Sequence, residues 1–112
     1  MTDLTTRTRT TPAGPVVEIH GDLDHHTAGH LRAALREVPL APGQLLVLDL
    51  RGLTFCDSSG ISVLIAAHRQ AGAAQARMAL EHVPEAVTRT LGIVGLDQLF
   101  DIRPALPPAG EV

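Results

Sequence analysis

Two short stretches gather the side chains able to do chemistry. In Asp57-Ser58-Ser59-Gly60 an acid precedes two hydroxyls and a glycine. Asp57 is a good helix N-cap, because its carboxylate can accept the otherwise unpaired amides of Ser59 or Gly60. Ser58 then stands at the first helical position with its hydroxyl outward. Free amides and the helix dipole at such an end favour an anion. A phosphate on Ser58 would therefore be tolerated by the fold while adding roughly −1.5 to −2 charges to the surface. Covalent catalysis fits less well. A nucleophile elbow wants glycine two residues before the serine and two after; Gly60 fills the second slot, but Cys56 occupies the first. The plainest reading is a capped helix and nothing more.

The second stretch is Gly21-Asp22-Leu23-Asp24-His25-His26-Thr27. Gly21 suits a turn and Asp24 suits the cap of the helix that follows. His26 and His30 lie four apart and would share one helix face, which is zinc-ligand spacing, with His25, Asp22 or Asp24 to complete a set. No motif glutamate accompanies them, so solvated histidines at a helix start are the expectation, and neither metal nor cofactor is expected. His20, His68 and His82 are isolated. Cys56 sits beside Phe55 among apolar positions and reads as a small core hydrophobe.

The elements that must hold these stretches follow from periodicity. Thr5 to Thr11 is β-branched with Arg7 and Arg9 interleaved, which suits an edge strand. Val16 to Ile19, running to Gly21 after the turn signals Pro12 and Gly14, gives its hairpin partner. From Thr27, the positions Ala28, Leu31, Ala34, Leu35 and Val38 recur at helical spacing until Pro39 and Pro42. Leu45 to Leu50 is an almost unbroken apolar run between Gly43 and Gly52, the pattern of a central strand covered on both faces. After Ser58 a second helix is apolar nearly all round and closes at Gly72. Gln75 to Glu81 reads as a strand, Pro84 opens a third helix with Val87 and Leu91 inward, and Gly92 or Gly95 stops it, with Leu96 as a core anchor. Leu99 to Ile102 makes a last strand. The order predicts one α/β domain, a mixed sheet of four to five strands packed with about three helices, spanning residues 1–103. A Pro-rich tail over 104–112, expected to be mobile, follows.

Composition narrows the function. The 112 residues are 45% hydrophobic and 19% charged, as in a folded domain and unlike a disordered chain. Nine cations, all arginine, face twelve carboxylates for a net charge of −3, and aromatic residues make up 2%. No basic excess exists to neutralise phosphates and no platform to stack bases, so nucleic acid is not an expected partner. No stretch reaches the roughly 18–20 apolar residues of a membrane span, and the first eleven residues lack the apolar middle of a signal peptide. A single cysteine fits a reducing compartment, and the cytoplasm is the expected location. The size favours binding or switching over enzymatic catalysis.

Taken together, the acceptor-like stretch with its preceding strand Leu46 to Leu50 and Leu53-Thr54-Phe55, its following Ile61, Val63, Leu64 and Ile65, and the segment Gly21 to Ala28 resemble the two signature stretches of anti-sigma factor antagonists. These are members of the STAS-domain family. The stretch from Pro84 through Val87, Leu91, Gly95 and Leu96 is also similar, and the resemblance covers roughly residues 5 to 103. It implies a switch in which the unphosphorylated antagonist docks on an anti-sigma factor that is a serine kinase of the GHKL ATPase type, and so releases the sigma factor. It further implies that the kinase phosphorylates Ser58 to end docking and that a PP2C-type phosphatase resets the system. By the same resemblance Asp24 lies in the acidic turn that faces the kinase, and Asp57, Ser59 and Gly60 complete the acceptor segment. An alternative within the family is a regulatory or scaffold subunit of a transporter or stress-signalling complex. Family members commonly continue into a C-terminal helix, for which Pro104, Pro107 and Pro108 leave little room.

Overall fold

In the computed structural model, which describes residues 3–104, the two β-rich runs pair as a hairpin. Strand β1 (Thr5–Thr11) lies antiparallel to β2 (Gly14–Leu23), with Arg7 opposite Glu18 and Thr11 opposite Gly14. The chain continues through α1 (Ala28–Arg36), β3 (Leu45–Cys56), α2 (Ser58–Ala73), β4 (Arg77–Val83) and α3 (Glu85–Ile93). A 3-10 turn over Leu96–Gln98 leads into β5 (Asp101–Pro104). The strands lie in the sheet in chain order, β1-β2-β3-β4-β5, and every pair after the first is parallel. The predicted mixed α/β sheet with three helices is therefore present, with five strands.

Each parallel connection passes through one helix, and right-handed crossovers between successive neighbours put all their helices on the same face. Packing bears this out. Leu31 and Leu35 of α1, Val63 and Leu64 of α2, and Val87 and Leu91 of α3 share one core with Val17, Ile19, Leu48, Leu50 and Leu80 of the sheet. Burying a side chain of this size is worth roughly 1.5–3 kcal/mol, so the row across β2, β3 and β4 is the main apolar anchor of the domain. Val16, Val47 and Ala79 alternate with that row and are buried outside the core cluster, on the opposite face.

Among the described residues that opposite face carries no helix, and beside Val16, Val47 and Ala79 it bears charges in register. Arg7, Glu18, Asp49, Glu81 and Arg103 stand opposite one another across all five strands. Ion pairs join Arg9 to Glu18 at 3.3 Å and Arg103 to Glu81 at 2.7 Å, and between them His82 Nδ1 lies 3.2 Å from Asp49 Oδ1. Exposed pairs of this kind contribute only about 0–1 kcal/mol each. Their effect is to make an open sheet face compatible with water.

Several boundaries differ from the sequence reading, each for a nonlocal reason. Strand β3 does not stop at Gly52 but runs twelve residues to Cys56. Gly52 stays inside it because the parallel pairing with β2 continues through His20 opposite Gly52 to Leu23 opposite Cys56, with the His20 ring over the glycine. Helix α1 begins at Ala28, and α2 continues past Gly72 to Ala73. Strand β4 starts two residues later than Gln75, which adopts φ 58° in the preceding turn, and extends through His82, whose φ of 54° accompanies a register shift beside β5. Strand β5 is likewise displaced, the segment before it being spent on the 3-10 turn. Pro104, expected in the tail, closes β5 opposite Val83, and the rest of the tail, with the question of a C-terminal helix, lies outside the described residues. Among the described residues no helix is long and apolar enough to cross a membrane.

Candidate functional site

The two chemically interesting stretches sit at the carboxyl ends of adjacent parallel strands, where α/β sheets carry their functional loops. Leu23 ends β2 directly beside Cys56 at the end of β3, and the amide of Asp57 donates to the Leu23 carbonyl at 3.2 Å. The acidic turn and the start of α2 are thus one backbone-linked unit.

On the β3 side the capping expectation holds in full. Asp57 is the N-cap of α2, in extended geometry, and its Oδ1 accepts from Ser59 N at 2.9 Å and Gly60 N at 3.2 Å. Such a cap is worth about 1 kcal/mol. Ser58 is exposed at the first helical position, Ser59 is half-buried and Gly60 is buried. Among the described residues the Ser58 hydroxyl makes no hydrogen bond, while its carbonyl accepts from Ser62 Oγ at 3.1 Å. The amides supposed to welcome an anion are both taken by the Asp57 carboxylate, so a phosphate on Ser58 would meet a carboxylate rather than two free donors. The serine has no histidine bonded to it among the described residues, and the elbow reading gains nothing.

On the β2 side Asp24 caps, but not the helix. Its Oδ1 accepts from His26 N at 2.9 Å and Thr27 N at 3.1 Å, closing a tight turn one step ahead of α1, whose N-cap is Thr27. Thr27 locks the turn from the other end: its hydroxyl donates to the Asp22 carbonyl at 2.7 Å and accepts from Asp24 N at 3.0 Å. Desolvation, the largest single influence, pushes the Asp24 carboxyl upward. The amides of His26 and Thr27, the His26 charge and the Thr27 hydroxyl outweigh that and hold it below the ordinary aspartate value. Asp22 accepts from Thr54 Oγ1 at 2.6 Å, a second tie between the two strand ends. Gly21 enters this turn at φ 107°, with the Asp3 carbonyl where a side chain would stand. The rings of His25 and His26 lie 3.9 Å apart, and among the described residues no group of three or more potential metal ligands gathers.

Cys56 lies between the two units, half-buried against the core. Burial, and then the neighbouring Asp57 charge, push its thiol up to about 11. With the thiolate so scarce at pH 8, alkylation by iodoacetamide should run roughly 100-fold slower than for free cysteine. A rate near that of the free amino acid in a timed mass-spectrometric assay would contradict this placement.

Two features escaped the sequence reading. Thr27 and Thr54 tie the site together across the chain. Phe55, read only as part of an apolar flank, is 51% exposed at the end of β3. Its signal was available, for it is one of two phenylalanines in a chain without tryptophan or tyrosine.

A profile of the family described as "Mlab, STAS domain" matches residues 6–104. The chain belongs to the STAS-domain family. Among its STAS relatives is the anti-sigma F factor antagonist of Paenibacillus polymyxa, 32% identical over 88 residues, covering 78% of this chain and 75% of the relative. An anti-sigma factor antagonist structure from Mycobacterium paratuberculosis superposes with a TM-score of 0.73 at 26% identity, covering 93% of this chain and 88% of that one. The structure of the Bacillus cell fate determinant SpoIIAA in its phosphorylated form gives a TM-score of 0.65 at 20% identity, over 88% and 90% of the two chains, and shares the STAS fold.

Proposed function

We propose that this STAS domain is an anti-sigma factor antagonist whose docking on an anti-sigma factor serine kinase is switched off by phosphorylation of Ser58. The observation that carries the reading is the placement of Ser58: an exposed, unbonded hydroxyl on the first turn of a capped helix, beside an acidic turn fixed to the same strand ends. Kinship with anti-sigma factor antagonists at about 30% identity supports the role. In this reading Asp24 and the segment Asp57, Ser58, Ser59 and Gly60 form the partner-facing surface, and a PP2C-type phosphatase restores the docking form.

The physical logic of the switch is local. A neutral hydroxyl can lie flush against a partner at little cost, whereas a phosphate carries about −1.5 to −2 charges that must be desolvated or paired. Here the Asp57 carboxylate occupies the nearest amides and Asp24 and Asp22 lie on the neighbouring strand end. The added charge therefore finds no donor pair at the helix terminus and stays hydrated, and docking would strip that water without pairing it. Docking is lost while the fold stays intact.

The test pairs the chain with MgATP and each anti-sigma factor serine kinase encoded in the same genome. One phosphate per chain at Ser58, absent in Ser58→Ala and accompanied by release from the kinase, is the expected result, read by intact mass and peptide mapping. Stable association with no phosphorylation, or no association with any such kinase, would overturn it and favour a regulatory subunit of a larger assembly.

A further inference from the structure

Among the described residues four large apolar side chains are exposed: Phe55, Ile93, Val94 and Leu99. Ile93 ends α3 and Val94 and Leu99 follow it, away from the carboxyl ends of the strands. Phe55 is different, because it precedes the Asp57 cap by two residues. It lines a groove of about 250 Å³ with Leu53, Cys56, Pro84, Val87 and Thr90, between the end of β3 and the first turns of α3. The chain's other phenylalanine, Phe100, is 4% exposed and packs edge-on against His68 at 5.7 Å. One aromatic ring is thus spent on the core and the other left half in water beside Ser58.

We propose that Phe55 and its groove are the apolar anchor by which the Ser58 surface docks on its partner, and that the partner is a folded protein presenting an apolar pocket edged by arginine or lysine. Charge selects that occupant. The strand ends around the groove carry the carboxylates of Asp22, Asp24 and Asp57, and α3 opens with Glu85. Of the arginines, Arg89 is the one on α3, and it is paired with Glu85 at 3.1 Å. The surface is therefore an aromatic group within an acidic rim. Interfaces are dominated by such buried aromatic anchors, with charged rims setting orientation and rate. This inference rests on the proposed kinase partner and adds which side chain holds it.

Division of labour follows. Ser58 is the atom modified, whereas Phe55 supplies affinity without touching the transferred phosphate. Phe55→Ser should therefore raise the Kd for the kinase that phosphorylates the wild-type chain by roughly 10- to 100-fold. KM for phosphorylation should rise in proportion, kcat at saturation should stay unchanged, and Phe55→Leu should recover most of the loss. A second measurement needs no variant. Incorporation of 4-fluorophenylalanine gives two fluorine resonances, and the one from position 55, relaxed by a soluble gadolinium chelate in the free chain, should become protected in the kinase complex. If Ser58 is phosphorylated normally while Kd is unchanged in Phe55→Ser or the resonance stays accessible, the anchor is overturned and the switch stands. A fall in kcat with KM constant would also overturn it, as a positioning role. No binding by the wild-type chain would remove both.

Discussion

Ser58→Glu is expected to leave the domain folded and to weaken its complex with the kinase by on the order of 100-fold or more, since a carboxylate pressed into an apolar contact without a paired donor costs several kcal/mol of lost hydration. Glutamate at the first turn of a helix is itself mildly favourable through the dipole, so thermal unfolding should shift by no more than about 1–2 °C. With Ser59 N and Gly60 N bonded to Asp57, a new carboxylate at position 58 has no donor pair waiting and adds to the acidic surface. Isothermal titration of the kinase with wild type, Ser58→Ala and Ser58→Glu separates size from charge. Equal affinities for the alanine and glutamate variants would show that the surface does not read charge at this position.

Gly60→Ala should cost about 2 kcal/mol of stability, or roughly 10 °C in Tm. A helix interior ordinarily gains up to about 1 kcal/mol from this exchange. Here the added methyl would stand 2.7 Å from Cys56 Sγ and from Leu23 Cγ, and 2.9 Å from Leu23 Cδ2. Leu23 is fully buried in the core, so its two contacts are not relieved by a swing of the side chain into solvent. Relief requires α2 to lift from the sheet, which also displaces Ser58. Gly52→Ala is the matched control: its methyl meets only the His20 ring, which is half-exposed and free to swing outward. Calorimetry should show a drop for Gly52→Ala below half that of Gly60→Ala. Comparable drops would mean that the tight seat of α2 is not what Gly60 protects.

What the sequence made legible is what depends on near neighbours along the chain. The Asp57 cap needs only Ser59 and Gly60 and was readable, as were the apolar run of β3 and the helical spacing of Leu31 and Leu35. Asp24 reads from the sequence as the cap of α1, but the N-cap is Thr27 and the turn that Asp24 closes is one step earlier, because Thr27 bonds back to Asp22 and Asp24. The passage of β3 through Gly52 depends on His20, thirty-odd residues earlier in the chain, and has no local signature. The shift of β4 turns on left-handed backbone at Gln75 and His82, residue types that do not announce it. The phosphoacceptor role for Ser58 came from resemblance, since a serine after an N-cap is by itself commonplace.

The tie between Leu23 and Asp57 has a further consequence. Two loops that could have moved separately are joined by a backbone bond and by the Thr54–Asp22 contact, and each is closed by its own aspartate. Ordering a residue on binding costs about 1–2 kcal/mol of conformational entropy. This surface has met that cost during folding, so a partner that docks on it gains nearly the full value of each contact, and one misplaced charge is felt undiluted.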